Sequence, residues 1–426
     1  MSYMVEAPEA DGTCAGVAGT HEWPGEIRYV TRQPILDLRG RIHGYEVLFQ
    51  MGPGRDKVEN AQHAARTVLD NMVLFGFDRL TGGLPTFIRC TEETLAEQLV
   101  AVLPAQMTVL EIPRGLEMTP KLVSACHRLK DAGFRLALVD FTWDPAQNIL
   151  LDLCDYVKVD FSETDAPGRQ SLRNLLKRTS VAMMAEKVDS PDVFRRAFTE
   201  GFTLFQGFYF CNPEPIQNAK APANRSIHIE ILRQLFRTPL DLNELCPLVM
   251  RDASLVFRIL RLVNSPAYAI RQEVNSIQSA IVILGETAFR RIATLAIQCE
   301  LNADQPPEIL RMALVRARFC ELAAPFAKLD PQEQYLLGML SLLPAMMRVP
   351  MQTLIPQLPL RDAIGRALLG DPVGERRMLS WIEALEQCDF AVCHKIAEVC
   401  ALDHGLMNRL YFDALTWDGA TPENFA

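Results

Sequence analysis

Between residues 27 and 207, short apolar runs of strand length alternate with stretches of helical periodicity, and beyond that point the strand signal disappears. Nothing else in the chain restricts its fold as much. Strands are expected over 84–88, 109–112, 134–141, 156–160, 181–186 and 204–207. Helices are expected over 59–75, 91–103, 120–132, 147–153, 171–179 and 191–201. Local signals agree with this division: Thr91 can cap a helix, Pro113 stops a strand and Gly133 closes a helix. A helix-length crossover between neighbouring strands imposes a parallel sheet. With about seven or eight such units, the natural closure is an α/β TIM-type barrel, and barrels of this kind gather their chemistry at the C-terminal ends of the strands. Polar residues fall late in the strands in register: Glu46, Arg89, Glu111, Asp140, Lys158, Glu186 and Gln206.

The alternation opens with RQPILDLRGRIHGYEVLFQ over 32–50, two apolar runs split at Asp37-Leu38-Arg39-Gly40, which reads as a β-hairpin or strand pair. Glu46 lies in the second run among apolar neighbours. Its carboxylate either faces solvent from a half-buried strand or enters a site.

Past residue 212 the composition turns to Pro, Ala, Asn and Gln, a linker signal. Only helical patterns follow, over 227–236, 255–263, 287–301, 309–326, 331–343, 359–369, 375–386 and 390–402. Asn264-Ser265-Pro266 ends one helix, Ser276 or Ser279 starts the next, and Gly285 closes it. The expected division is a mobile leader at 1–26, the barrel at 27–215, a linker at 216–226 and an all-α helical bundle at 227–426.

A net charge of −9 speaks against a general polyanion binder. Arg258, Arg261, Arg271, Arg290 and Arg291 are spaced as solvated helix faces without interleaved aromatics, so nucleic acid is not an expected partner. The 11 cysteines include no C-x-x-C pair and read as reduced core thiols. The group Cys388, Cys393, His394 and Cys400 has no usual metal-ligand spacing. No apolar run reaches membrane-spanning length and the leader lacks a signal-peptide pattern, so a cytoplasmic location is expected.

Two sets of residues carry a family resemblance. Leu260-Arg261-Leu262-Val263-Asn264-Ser265-Pro266-Ala267-Tyr268, followed by Ile277, Ser279-Ala280-Ile281 and Leu284-Gly285, resembles the HDOD signature. Residues 28–215 resemble an EAL domain, the barrel that hydrolyses cyclic di-GMP, and the order of the two resembles a class of bacterial signalling proteins. The EAL resemblance implies two divalent cations that activate water for attack on a phosphodiester. Glu46 then stands at the namesake Glu, with Val47 in place of Ala. Glu111 matches the first Glu of E-x-x-E, and Asp140 the second Asp of Asp-Asp-Phe-Gly. Lys158 and Asp160 match Lys-x-Asp, Glu186 the sixth-strand Glu, and Gln206-Gly207 the Gln-Gly pair.

The chain departs from that pattern at several places. Arg89 replaces an Asn ligand, Arg114 the second Glu, Val139 the first Asp, Thr142 a Gly, and Gln50 the Arg that grips a substrate phosphate. A guanidinium beside an ion position is strongly repelled. These departures lead to the expectation of a degenerate barrel that is not an enzyme, has no catalytic residue and takes no cofactor. In it Arg89 would bond Glu46 or Glu111, and Glu46, Glu111, Asp140, Lys158, Glu186 and Gln206 would persist as an ion-pair network. In the helical half, Ser341 and Leu342 stand where the HD superfamily carries its His-Asp metal ligands, so no metal is expected there either, and Asp403-His404 reads as an exposed helix end. The expected function is non-catalytic signal transduction through protein partners in or near cyclic di-GMP signalling. The alternatives are an active phosphodiesterase using magnesium or manganese, or a catalytically dead cyclic di-GMP receptor, against which Gln50 counts. Whether the chain forms a homo-oligomer is left open.

Overall fold

The computed structural model describes residues 27–51, 80–140, 148–177, 179–211, 223–264, 274–302 and 305–417. The leader, the 59–75 helix, Thr142, Ser265, Pro266 and Arg271, most of the linker and the side chain of Gln50 lie outside those residues.

Eight strands close a barrel in chain order: β1 (Ile27–Asp37), β2 (Ile42–Met51), β3 (Thr86–Arg89), β4 (Thr108–Ile112), β5 (Arg135–Leu138), β6 (Tyr156–Asp160), β7 (Ala182–Glu186) and β8 (Leu204–Gln206). Pairing from β2 through β8 is parallel, as helix-length crossovers require. β1 runs antiparallel to β2, as the hairpin expected over 32–50 has it, and antiparallel to β8 as well. The reason for the β1–β2 reversal is local: Asp37 Oδ1 accepts from the Arg39 and Arg41 amides, so the chain turns back in a hairpin too short for a crossover.

Strand periodicity sorts the barrel interior into two layers. Ile35, Phe87, Val109, Ala137, Tyr156, Met184 and Leu204 form an apolar plug. Two residues further along β3, β4, β6, β7 and β8 come Arg89, Glu111, Lys158, Glu186 and Gln206, on the same inward face. The plug thus forms the dry floor of a polar layer. Gly44 of β2 faces this packing, where an added Cβ would lie 2.4 Å from the Pro85 carbonyl oxygen.

Around the barrel lie α1 (Glu92–Ala96), α2 (Pro120–Asp131), α3 (Asn148–Leu151), α4 (Ala166–Leu176) and α5 (Pro191–Thr199). Thr91 caps α1 in a reciprocal capping box with Thr94. The helix expected over 91–103 is shorter because Gln98 takes a left-handed conformation, after which a 3-10 turn runs Leu99–Val102. The helix expected over 171–179 starts earlier, since Asp165 caps it and Pro167 fits its first turn.

The second half is helical: α6 (Ala223–Leu235), α7 (Leu242–Val249), α8 (Ala253–Val263), α9 (Ile277–Leu301), α10 (Pro307–Ala323), α11 (Pro331–Leu340), α12 (Leu343–Met347), α13 (Met351–Leu354), α14 (Asp362–Leu369), α15 (Arg377–Glu386), α16 (Phe390–Val399) and α17 (His404–Leu415). Gly285 breaks α9 with φ 77, as a closing glycine should. Asn264 exchanges hydrogen bonds with the Val274 backbone at 2.8 and 2.9 Å, tying the end of α8 to the start of the segment that leads into α9.

The helices dock directly on the barrel. The Tyr29 hydroxyl of β1 lies 2.7 Å from His404 Nδ1, and its ring stacks on Phe390. Tyr45 of β2 donates to Glu308 at 2.9 Å and accepts from Arg311 at 3.1 Å, all three buried. One apolar core runs through both halves. Two expectations change here. Asp403 does cap α17, but His404 turns inward to Tyr29 and His394 instead of marking an exposed end. Arg258 and Arg291 are ion-paired to Glu300 and Glu321, not free on solvated faces.

Candidate active site

The polar layer above the apolar plug meets at one point. Lys158 Nζ, fully buried, lies 2.8 Å from Glu46 Oε2, 2.6 Å from Glu111 Oε1 and 2.8 Å from Glu186 Oε1. Each of these side chains arrives from a different strand, so the barrel's closure, not chain neighbourhood, assembles them. Gln206 Nε2 donates to Glu46 Oε2 at 2.6 Å and to Gln33 Oε1 at 2.9 Å. Above them opens a cavity of about 750 Å³, lined among others by Glu46, Arg89, Asp140, Glu186, Lys187 and Gln206, with Gln387 and Cys388 contributed by the helical half.

The charges are unevenly satisfied. Burial pushes the Glu111 carboxyl up to about 8, with the neighbouring Glu46 adding to it against the pull of Lys158. Glu111 Oε2 is buried with no hydrogen-bond partner. Burial also acts on Glu46, but Lys158 and the hydrogen bonds from Lys158 and Gln206 outweigh it and hold Glu46 below the ordinary range. Glu186 is raised by burial. Burial works against the Lys158 ammonium, yet Glu111, Glu186 and Glu46 raise its pKa well above normal, so Lys158 is a fixed cation.

The other singled-out residues fall as follows. Arg89 does not bond Glu46 or Glu111; its guanidinium pairs with Asp140 at 2.8 Å. Lys158 already takes those two glutamates, and Arg89 at the strand's outer end reaches the half-exposed Asp140 instead. Asp160 pairs with Lys187 at 2.6 Å. Arg114 is exposed, away from the cavity lining, and Val139 is buried with its amide bonded to the Ile112 carbonyl. Ser341 ends α11, donating to the Gly338 carbonyl at 2.7 Å and accepting from Arg316 at 3.1 Å, while Leu342 is buried. Sequence reasoning missed Gln33, Lys187, Gln387 and Cys388. Gln33 was recoverable, since it lies two residues before the inward-facing Ile35 on β1. Nothing local in the sequence places Cys388 over the barrel mouth.

Residues 87–213 match the EAL domain family and residues 222–355 the HDOD domain family. The chain is 30% identical over 371 residues to the cyclic di-GMP phosphodiesterase CdgJ of Vibrio cholerae, covering 85% of this chain and 85% of that protein. The chain belongs to the EAL–HDOD family. The chain is also 28% identical over 405 residues to the uncharacterized protein YuxH of Bacillus subtilis, covering 91% of this chain and 97% of that one. Among solved structures the chain is similar to Klebsiella pneumoniae BlrP1 in a calcium and cyclic di-GMP complex, at 21% identity and a TM-score of 0.37, covering 46% of this chain and 57% of that one. The match to the EAL family begins within β3, so β1 and β2, with Gln33 and Glu46, precede the matched stretch yet close the same barrel.

This kinship corrects one expectation. The replacements at Arg89, Arg114 and Val139 led to a chain that is not an enzyme. That conclusion is overturned, because EAL domains are a phosphodiesterase family and the EAL–HDOD relative CdgJ is itself named a phosphodiesterase. No helix among the described residues is long and apolar enough to cross a membrane.

Proposed function

We propose that this EAL–HDOD protein hydrolyses cyclic di-GMP at the C-terminal mouth of its barrel. What carries the proposal is the crowding of acids in the buried layer and at its rim. Four carboxyl groups (Glu46, Glu111 and Glu186 below, Asp140 at the half-exposed rim) face two cations (Lys158, Arg89), an excess of two negative charges once all four are ionised, beneath a ligand-sized cavity. Among the described residues no three acidic side chains surround an empty point, because Lys158 Nζ stands where they converge. The charge excess and the unpartnered Glu111 Oε2 nevertheless fit one divalent cation, a hard ion that takes oxygen ligands. Glu46, Glu111 and Glu186 would hold it, with Asp140 released from Arg89. A bound magnesium or manganese ion would supply Lewis-acid polarisation at the phosphodiester.

The chain's own residues do the rest. Lys158 fixes the three glutamates and offsets part of their repulsion. Arg89 and Lys187 line the cavity as ion-paired cations, the first half-exposed and the second more so, and either would leave its carboxylate to bond a substrate phosphate. That answers the replacement at Gln50 by moving the phosphate grip to the end of β3 and to the residue after β7. The helical half is, within the same proposal, the part that meets a protein partner, with Phe257 and Val282 standing exposed. The test is incubation of the full chain with cyclic di-GMP and manganese. The linear dinucleotide should appear and should vanish in Glu46→Gln; its absence in the unaltered protein would refute the proposal.

A further inference from the structure

A hydrogen-bonded relay joins the helical half to Glu46. Gln33 Nε2 donates to the Glu386 carbonyl at 3.2 Å, at the end of α15, and to Cys388 Sγ at 3.2 Å, in the turn that leaves it. That uses both hydrogens of the amide and leaves Gln33 Oε1 facing the barrel, where it accepts from Gln206. Gln206 in turn commits its second hydrogen to Glu46. The turn itself is anchored: Arg316 of α10 holds the buried Glu386 carboxylate through three hydrogen bonds and also donates to Ser341, the position left by the HD-type ligand. Gln387 and Cys388 of the same turn line the cavity.

An amide can be turned end for end, so this pair can be arranged a second way. Gln206 Oε1 is buried without a donor. If the turn withdraws, Gln33 loses its two acceptors and rotates its NH2 toward Gln206, which then presents Oε1 to it and takes its donor away from Glu46. We infer that Gln33 is a positioning residue through which the helical half sets the Gln206–Glu46 hydrogen bond, so that displacement of the 386–388 turn is read at the barrel site. This rests on the phosphodiesterase proposal for its effect on rate, but not for the relay itself.

The test uses the full chain, with glutamine side chains labelled by 15N and the Gln206 amide assigned by its loss in Gln206→Met. Two variants interrupt the relay at opposite ends. Gln33→Met removes the bridging amide, and Cys388→Gly removes the sulfur acceptor at a position whose φ of 60 suits glycine. Both should shift the Gln206 amide signal. Gln33→Met should also lower kcat for cyclic di-GMP about tenfold, the worth of one charge-assisted hydrogen bond, with KM changed less than about twofold. A Gln206 signal unmoved in both variants overturns the inference, whatever the hydrolysis. A shifted signal in a chain that hydrolyses nothing supports the relay and refutes the phosphodiesterase proposal instead.

Discussion

Replacing Glu111 by Gln tests whether the buried acids of the barrel lack positive charge. The Glu111 side chain is wholly buried and its carboxyl is pushed up to about 8 from an ordinary 4.5, first by burial and then by Glu46. Below pH 4.5 the folded and unfolded chains both hold this proton, and the group costs nothing. Between 4.5 and about 8 the unfolded chain releases the proton while the folded one keeps it, so stability falls as pH rises; above 8 the loss is complete. Each unit of difference is worth about 1.4 kcal/mol, and the slope fades as the folded group itself titrates. From pH 6 to pH 8 the loss amounts to about 2 kcal/mol. Glu111→Gln keeps an acceptor for Lys158 and removes the titration. Urea unfolding of EDTA-treated protein at pH 6, 7 and 8 should therefore show the variant gaining on the unaltered chain by about 2 kcal/mol over that range. Excess manganese should flatten the unaltered chain's slope, since an ion at Glu111 Oε2 keeps the carboxylate ionised. Parallel pH curves for the two proteins would refute the charge imbalance on which the site rests.

Other changes act at defined contacts. Lys158→Met leaves three carboxylates around an apolar side chain and should cost about 4 kcal/mol in chemical unfolding, with loss of hydrolysis. Tyr45→Phe deletes the hydroxyl between Glu308 and Arg311 at the buried join of barrel and helices; calorimetry should show about 2 kcal/mol lost. Gly207→Ala would bring a Cβ within 2.3 Å of the Val188 carbonyl oxygen at a residue with φ 145, and a thermal melt should show destabilisation of at least about 3 kcal/mol.

Much of the barrel is legible in the amino-acid sequence, because strand and helix periods, Thr91 as a cap, Gly133 and Gly285 as closures and the Asp37–Gly40 turn act through near neighbours in the chain. The same period of two that makes a strand also places Glu46, Glu111, Lys158, Glu186 and Gln206 on one inward layer once the barrel closes. Which of them bond is beyond the sequence. Lys158 and Glu46 are 112 positions apart, and only the strand order and register bring them to 2.8 Å. Arg89 feels four carboxylates, and its pairing with Asp140 follows from Lys158 having taken the deeper ones. The antiparallel β1 is decided jointly: a short turn reverses it locally, but its pairing to β8 exists only in the closed sheet. Gln33 and Cys388 lie 355 positions apart and meet because the helical half docks on the barrel. Periodicity, caps and turns are written in adjacent residues; the partners of buried charges are set by packing across the whole chain, and that the tertiary structure alone decided.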